Sequence, residues 1–435
     1  MIADPMTGSL GVLLLLGLLL LGVPIGVALG VVGLGGLVLT LGLEPGVIKT
    51  GVVVFETLSR YELGTLPLFM LMAHLCFAAG ASRDFFDAAA RLIGHRRGGL
   101  AAASVAGCAG FGAINGSSLA TTATIGLVAL PEMRSRGYAD TLATGSIAAG
   151  GTLGQMIPPS GALIVFGIIA EQSIGTLFTA AVVPGLTQML SYFLVIAVLA
   201  WLRPQDAPPT PRFSWAERRQ ALARIWDLTA LILFVIGGIA LGWMTPSEAA
   251  AVGSAGALGI CALRGKLDRA VLRQAVEETL RTSGLIFLVV IGALLFSAFV
   301  SITGLTDAIG AQIAALGAGP VWTMILVALF LLLIGCVLDG LALMLLTTPI
   351  LLPIVQQLGL SPIWFGIFLV RAMEIGFVHP PLGMNLYVIQ GVAKDVPLGR
   401  IFRGVLPFLG ADLLHLLLLI LFPSIVLGLP LWLAQ

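Results

Sequence analysis

Apolar stretches of about 20 residues recur from one end of this sequence to the other, and that is the length an α-helix needs to cross a hydrocarbon core of roughly 30 Å. Hydrophobic residues make up 58% of the 435 residues, and charged residues make up only 10%. A water-soluble domain of this length does not need so much apolar surface. The sequence therefore predicts an all-α polytopic membrane protein.

The prolines indicate an internal repeat, because proline is costly inside a helix and its positions are therefore informative. Four pairs of prolines lie 222 positions apart, and a fifth pair misses that offset by one. The pairs are Pro24 and Pro246, Pro131 and Pro353, Pro158 and Pro380, Pro159 and Pro381, and Pro184 and Pro407. We therefore predict two related halves, residues 1–202 and 227–435, joined by a cytoplasmic linker over residues 203–226.

The Lys and Arg residues predict the orientation of each half, because short cytoplasmic loops carry an excess of them. Five segments hold 19 of the 22 Lys and Arg residues, and we expect all five to be cytoplasmic. They are residues 82–97, 132–138, 203–225, 264–281 and 392–403. Residues 98–131 then begin and end on the cytoplasmic side, whereas residues 320–354 have flanks without Lys or Arg and enter from the other side. The pattern predicts two re-entrant helical hairpins in inverted-topology repeats, as in many secondary transporters.

Each half is also predicted to contain a discontinuous helix, over residues 139–170 and 362–391, that is interrupted by a proline pair. Residues 264–283 interleave cations with apolar residues at helical spacing. This spacing predicts an arm along the membrane surface, followed by a separate helix over residues 284–303. The last helix is expected over residues 405–428.

Proline pairs leave backbone carbonyl groups that hydrocarbon cannot satisfy, so such breaks persist only where protein, water or a ligand meets them. The hairpin tips read "NGSS" and "DG", and their oxygen atoms suit hard cations. We hypothesise one Na⁺ site in each half, between the hairpin tip and the neighbouring break. The candidate ligands are Asn115, Gly116, Ser117, Ser118, Gly154, Pro158 and Ser160 in the first half, and Asp339, Gly340, Gly376, Pro380 and Asn385 in the second. No other cofactor and no transition metal is expected, because the cysteines and histidines lack ligand spacing.

Three ionisable residues, Arg371, Glu374 and His379, lie inside a predicted span, where such residues are rare and often functional. They are candidates for the lining of a substrate cavity. Arg371 and Glu374 are three residues apart on one helix, however, and an ion pair between them is the simpler interpretation. Asp412 and His415 are also three apart, and for them a helix-to-helix hydrogen bond is favoured over a proton relay.

Four motifs of this sequence resemble the large membrane subunit of tripartite ATP-independent periplasmic (TRAP) transporters, and they occur in family order. They are "GSSLATTATIGLVALPEMRSRGY", "GTLGQMIPPSGALIVFG", "DGLALMLLTTPILLPI" and "EIGFVHPPLGMNLYV". The sequence departs from that family at Asn115, where serine is common, and at His379, where threonine is common.

The resemblance implies Na⁺-coupled uptake of an organic acid across the bacterial inner membrane by an elevator mechanism. The hairpins and discontinuous helices would form a transport domain that moves against a scaffold made of the remaining helices. It also implies two protein partners, a periplasmic substrate-binding protein and a small four-helix membrane subunit supplied as a separate chain. The lipid bilayer is the expected surrounding, and no nucleic-acid partner and no catalytic residue are expected.

Two other functions fit parts of the pattern. One is a stand-alone Na⁺-coupled carboxylate carrier, which would need no binding protein. The other is an intramembrane enzyme acting on lipid-linked substrates, with Asp339, His379 and Glu374 as acid and base groups. The repeated discontinuous helices argue against an enzyme, since catalysis has no need of a symmetric gate. An ATP-driven pump is disfavoured because the sequence lacks a GxxxxGK[ST] phosphate-binding loop.

Overall fold

The structure is a computed structural model that describes residues 4–315, 317, 319–335 and 338–433. These residues are almost entirely helical and include no β-strand. Among them, seven helices are long and apolar enough to cross a membrane, and a pair of helices bent by 41° at a short break makes an eighth candidate span. The chain is therefore an all-helical, multi-pass membrane protein, as predicted.

The first half contains a helical hairpin and an interrupted helix. Its helices are α1 (Pro5–Leu20), α2 (Ile25–Leu41), α3 (Leu43–Leu58), α4 (Thr65–Ala78), α5 (Ala81–Ile93), α6 (Gly99–Asn115), α7 (Ser118–Ser135), α8 (Asp140–Gly151), α9 (Leu153–Met156), α10 (Gly161–Ile169) and α11 (Ile174–Leu202). Only Gly116 and Ser117 separate α6 from α7, and the two helices pack against each other. The interruption between α9 and α10 spans residues 157–160 and contains the first proline pair.

The second half repeats this order of a hairpin followed by an interrupted helix. Its helices are α12 (Trp215–Ala240), α13 (Pro246–Leu263), α14 (Arg269–Thr303), α15 (Leu305–Ala315), α16 (Pro320–Gly335), α17 (Gly340–Gln357), α18 (Pro362–Val378), α19 (Met384–Val392), α20 (Leu398–Leu421) and α21 (Ser424–Leu433). Helices α16 and α17 pack against each other as the second hairpin. Residues 379–383 interrupt the second discontinuous helix between α18 and α19.

Three predicted boundaries are wrong. The surface arm and the helix after it form one helix, α14, of 35 residues, because no proline lies within it and Asp268 caps its start by accepting a hydrogen bond from the Val271 N–H. Helix α12 begins at Trp215 inside the predicted linker, since Ser214 and Glu217 form a capping box there. The predicted last helix is divided into α20 and α21 at Pro423.

Helices α2 and α14 pack more extensively than any other pair of described helices, and glycines make this possible. A Cβ atom on Gly33 would lie 2.6 Å from the backbone carbonyl carbon of Leu295, and one on Gly292 would lie 2.5 Å from the carbonyl oxygen of Gly26. Small residues let helix backbones approach closely in membranes, where the hydrophobic effect adds little to helix association. Gly26 and Gly33 of α2 therefore allow the close approach that sets the position of α14.

Contacts join the five segments rich in Lys and Arg, one of them through Ala139, which directly follows residues 132–138. They are Arg264 with Asp84 at 2.6 Å, Arg134 with Asp395 at 3.0 Å, the N–H of Ala139 with the carbonyl of Asp206 at 3.1 Å, and the N–H of Thr210 with the carbonyl of Gly94 at 3.0 Å. The Arg134 guanidinium, hydrogen-bonded to Asp395, lowers the pKa of that carboxyl group below its ordinary value. Arg134 also binds Asp140, so the end of the first hairpin is tied to both interrupted helices.

We predict that Gly33→Ala destabilises the protein by about 1–3 kcal/mol, because the added methyl group would meet the backbone of α14, which cannot move aside. Gly35→Ala is the matched control, since nothing lies within 4 Å of a Cβ atom at that position. Thermal unfolding of the purified protein in lipid nanodiscs measures both. Equal unfolding midpoints for the two variants would contradict the assigned packing of α2 on α14.

Candidate functional site

The tip of the first hairpin lies against the break in the first interrupted helix. Gly116 ends α6 with a φ of 63°, a conformation that favours glycine. A Cβ atom on Gly116 would lie 2.7 Å from the carbonyl oxygen of Pro159 and 3.4 Å from Cα of Ser160. One turn earlier, a Cβ atom on Gly112 would lie 2.6 Å from Cα of Gly154. The backbones of tip and break are therefore in direct contact.

Two helices begin at this junction, and a serine caps each of them. Ser117 Oγ accepts a hydrogen bond of 3.4 Å from the N–H of Ala120 in α7, and Ser160 Oγ accepts one of 3.4 Å from the N–H of Leu163 in α10. Asn115 Nδ2 donates to the carbonyl oxygen of Ser117 at 3.3 Å. Carbonyl and hydroxyl oxygens suit a hard cation, whereas the two helix N-termini suit a carboxylate. The junction can therefore interact with both.

A corresponding glycine contact joins the second hairpin to its interrupted helix. A Cβ atom on Gly376 would lie 3.0 Å from the carbonyl oxygen of Gly335. Gly376 corresponds to Gly154 under the 222-residue offset, and Gly335, like Gly112, precedes a hairpin tip. The two halves thus dock a hairpin onto an interrupted helix through equivalent backbone contacts.

Asp339 lies at the second hairpin tip and caps α17. Its Oδ1 accepts a hydrogen bond from the N–H of Ala342 at 3.0 Å, and the side chain is half-buried. The neighbouring Gly340 packs on α18, where a Cβ atom would lie 2.4 Å from Cγ of Met373. The tip is therefore placed against the helix that leads into the second break.

Both breaks contain a cis peptide bond, Pro158–Pro159 in the first half and Pro380–Pro381 in the second. The first pair is buried, whereas the second is more exposed. His379 is half-buried, and its carbonyl oxygen accepts a hydrogen bond from the N–H of Gly383 at 3.0 Å. A backbone hydrogen bond thus connects the first and last residues of the second break.

Asn385 contacts the first half, although the sequence assigned it to the second site. It is fully buried, and its Nδ2 donates to Ser118 Oγ at 3.0 Å and to the carbonyl oxygen of Ala148 at 3.1 Å. Ser118 begins α7, so this side chain of α19 reaches the tip of the first hairpin. Asn385, predicted as a ligand of the second half, thus lies beside the first hairpin tip, because α19 packs against α7.

Arg371 is fully buried and pairs with Asp412, so the expected ion pair between Arg371 and Glu374 is wrong. Its Nη2 lies 2.5 Å from Asp412 Oδ1, and its Nε donates to His415 Nδ1 at 3.1 Å. His415 Nε2 in turn lies 2.9 Å from Thr187 Oγ1 on α11. Helix-to-helix hydrogen bonding by Asp412 and His415 is therefore confirmed, and it joins α18, α20 and α11.

Three buried polar residues beside this group were missed by sequence reasoning. Gln188 Nε2 donates to Thr152 Oγ1 and to the Tyr192 hydroxyl group, both at 2.9 Å, and the two hydroxyl groups lie 2.9 Å apart. Gln188 and Tyr192 are four residues apart on an apolar helix. That spacing places both on one face of α11 and could have indicated a polar contact. The three residues tie α11 to the first interrupted helix.

Unpartnered polar atoms concentrate around these helices. Within the described residues, several buried side-chain atoms of α7, α9, α11 and α18–α20 have no hydrogen-bond partner. They are Thr122 Oγ1, Gln155 Oε1, Gln188 Oε1, Arg371 Nη1, Glu374 Oε1 and Oε2, Asn385 Oδ1, and Asp412 Oδ2. Buried polar atoms are rarely left without a partner, and a ligand is one explanation where they cluster.

Charge balance predicts that Arg371→Met destabilises the protein more than Asp412→Leu. Loss of Arg371 leaves two buried carboxyl groups without a cation, whereas loss of Asp412 leaves Arg371 free to pair with nearby Glu374. Breaking a buried ion pair by removing one partner costs about 3–5 kcal/mol, and we expect Arg371→Met to reach that range. Thermal unfolding midpoints in one buffer test the order, and a lower midpoint for Asp412→Leu would contradict it.

A family model described as "Tripartite ATP-independent periplasmic transporter, DctM component" matches residues 12–425. The C4-dicarboxylate TRAP transporter large permease protein DctM of Pseudomonas aeruginosa is 35% identical over 409 residues, which cover 93% of this chain and 94% of that protein. The sialic acid TRAP transporter large permease protein SiaM of Vibrio cholerae is 32% identical over 421 residues, which cover 95% and 96% of the two chains.

The crystal structure of the YdaH transporter of Alcanivorax borkumensis matches 98% of both chains, with a TM-score of 0.62 and 15% identity, so the similarity concerns the fold alone. The two relatives are named as transporter permease proteins, and an intramembrane enzyme is thereby set aside. The chain belongs to the DctM component family of tripartite ATP-independent periplasmic transporters, as a large permease subunit.

Proposed function

We propose that this subunit carries out Na⁺-coupled uptake of an organic acid across the bacterial inner membrane, and that a periplasmic substrate-binding protein delivers the acid. The observation that most supports this function is the junction between the first hairpin tip and the first proline break. Oxygen atoms and two helix N-termini meet there. Interrupted helices of this kind hold coupling ions and anionic substrates in secondary transporters.

A carboxylate substrate fits the half-helices. The two relatives are named for C4-dicarboxylates and sialic acid, which are all carboxylates. The N-termini of α10 and α19 carry partial positive charge and can stabilise such a group without a Lys or Arg side chain. Arg371 is withdrawn from the candidate substrate ligands, because its guanidinium group is fully buried and paired with Asp412. His379, half-buried at the second break, is kept as a candidate for the cavity lining.

One Na⁺ ion is proposed at each hairpin tip. In the first half its ligands would come from the tip residues 115–118, from Gly154 and from the break at Pro158 and Ser160. In the second half they would come from Asp339, from the backbone near Gly340 and Gly376, and from the break at Pro380. Because carbonyl groups at helix ends and breaks lack helical partners, they are available to a cation.

The hairpins and interrupted helices would move as one block in an elevator mechanism, with the hairpins entering from opposite sides of the membrane. Arg134 binds both Asp140 and Asp395, and Asn385 binds Ser118, so the first hairpin is tied to both interrupted helices. Unlike the division expected from the sequence, we propose that α11 and α20 belong to this block, because both pack against α8 and α18. The scaffold would then consist of α1–α5 and α12–α15, and a separate small four-helix subunit would bind to it.

Uptake by proteoliposomes that contain this chain and the products of its adjacent genes tests the proposal. We expect an inward Na⁺ gradient to drive accumulation of a labelled organic acid, and expect omission of the binding protein to abolish it. Uptake that continues unchanged after the Na⁺ gradient is collapsed would refute Na⁺ coupling. Uptake that needs no binding protein would identify a stand-alone carboxylate carrier instead.

Asp339→Asn and Ser117→Ala should weaken the Na⁺ activation of uptake, by roughly 10- to 100-fold in the Na⁺ concentration required, as is typical for loss of a metal-site contact. Asparagine caps helices as well as aspartate does, so Asp339→Asn removes the charge but keeps the cap. The matched controls are Asp268→Asn and Ser173→Ala, which change the N-cap residues of α14 and α11. Unaltered Na⁺ activation in both test variants would remove the tips from the ion sites.

A further inference from the structure

A cavity of about 450 Å³, the arginine cavity, lies between α5, the C-terminal half of α7, the linker between the two halves, and α12. Its lining contains more guanidinium groups than carboxylates. The arginines are Arg83, Arg91, Arg136 and Arg224, and the carboxylates are those of Asp84, Asp87 and Glu132. Four positive charges against three negative charges leave one positive charge in excess within the lining.

Each carboxylate of the arginine cavity already has a cation of its own. All three ion pairs are short enough to be hydrogen-bonded. They are Asp84 with Arg264 at 2.6 Å, Asp87 with Arg91 at 3.0 Å, and Glu132 with Arg136 at 3.2 Å. Arg264 adds no charge to the balance, because it also pairs with Asp227 at 2.6 Å.

The guanidinium groups of Arg83 and Arg224 remain for an external anion. Within the described residues, Arg83 forms no ion pair. Arg224 Nη1 lies 4.0 Å from Asp87 Oδ2, which is too long for a hydrogen bond. Both arginines are exposed on the outer side of the cavity, so an anion can reach them without displacing a protein carboxylate.

A buried hydroxyl group in the same lining also lacks a partner. Thr210 is only 8% exposed, and its Oγ1 has no hydrogen-bond partner in the described part of the chain. Its backbone is held in place, since the N–H of Thr210 donates to the carbonyl oxygen of Gly94 at 3.0 Å. Buried polar atoms rarely lack a partner, and a second unmatched polar group beside the excess charge points to a ligand.

The surroundings of the arginine cavity fit the surface of a membrane. Phe86, Leu100 and Val128 give it an apolar wall. Trp226, two residues after Arg224 on α12, is 68% exposed. Exposed tryptophans concentrate at membrane–water interfaces, at the level of the lipid head groups. Arg224 is therefore expected at that level, with apolar side chains beside it.

We propose that the arginine cavity binds a phosphate group, and that the head group of an anionic phospholipid supplies it. The planar guanidinium group matches the oxygen atoms of a phosphate, and basic pockets between membrane helices bind such head groups. One phosphodiester charge neutralises the single excess positive charge. This inference goes beyond the proposed function, since it depends on neither Na⁺ coupling nor the identity of the substrate.

A phosphate group in this cavity would join parts of the molecule that otherwise belong to different groups. Arg83 lies on α5 and Arg224 on α12, both in the proposed scaffold. Arg136 directly follows α7, which belongs to the proposed transport domain. A bound lipid would therefore hold the first hairpin against α5 and α12.

Native mass spectrometry of the purified full-length chain, released from nanodiscs of phosphatidylcholine mixed with phosphatidylglycerol, tests the site. Wild type should retain phosphatidylglycerol in preference to phosphatidylcholine, whose choline group cancels the phosphate charge. Arg83→Gln combined with Arg224→Gln should weaken that retention by about 10- to 100-fold, because two charge-assisted contacts are lost. The matched control combines Arg97→Gln with Arg219→Gln, which removes two exposed arginines outside the lining.

The control should retain phosphatidylglycerol as wild type does. An equal loss of retention in the two double variants would overturn the site, because it would show attraction by net charge alone. Both double variants should also unfold at the wild-type midpoint in nanodiscs of phosphatidylcholine alone, since neither removes a short ion pair. A large drop in that midpoint for Arg83→Gln with Arg224→Gln alone would assign the two arginines to folding and overturn the proposal.

Inorganic phosphate, added to the chain in nanodiscs of phosphatidylcholine alone, distinguishes a lipid from a soluble source. With a lipid site, phosphate should raise the unfolding midpoint of wild type and of the Arg83→Gln, Arg224→Gln variant equally, as a general salt effect. A rise confined to wild type, without retention of phosphatidylglycerol, would keep the phosphate site and overturn its lipid source. Neither a specific rise nor retention would overturn both.

Discussion

Every backbone N–H and C=O group inside a membrane needs a partner within the protein, and the rest of this structure depends on how that requirement is met at two proline breaks. Each break lies in a helix onto which a hairpin docks through a pair of glycines, Gly112 on Gly154 and Gly335 on Gly376. The hairpin tip of the first half covers the carbonyl group at Pro159. An interrupted helix is therefore tolerated because a second interrupted element lies against it. The same pairing concentrates helix ends where ions and carboxylates can bind.

Two groups of helices in this protein pack in different ways. Helices α2 and α14 meet through glycines and apolar side chains, with close backbone contact. Helices α8, α11, α18 and α20 are instead tied by buried polar contacts, above all by the ion pair of Arg371 with Asp412. Polar contacts are directional, and breaking them leaves unsatisfied groups in an apolar interior, so these helices are expected to stay together when the rest of the molecule rearranges.

Much of the fold could be predicted from the sequence, because it follows from local chemistry. The proline pairs locate both breaks, and "NGSS" and "DG" locate both hairpin tips at Gly116 and Asp339. The errors are also local in origin. Helix α12 starts early because Ser214 and Glu217 form a capping box, and α14 is continuous because no proline divides it. The capping box and the lack of proline can both be read from the sequence. The predicted boundaries were placed instead where apolar residues give way to charged ones.

For the candidate site too, local sequence signals predicted some features and helix packing decided others. The sequence by itself determined where helices span, break and turn, since proline lacks an N–H group and glycine lacks a side chain wherever they occur. Only the tertiary structure decided which buried polar groups meet. Arg371 finds Asp412 at a separation of 41 residues, and Asn385 finds Ser118 at a separation of 267 residues. Such partners depend on how whole helices pack, and no spacing within one helix specifies them.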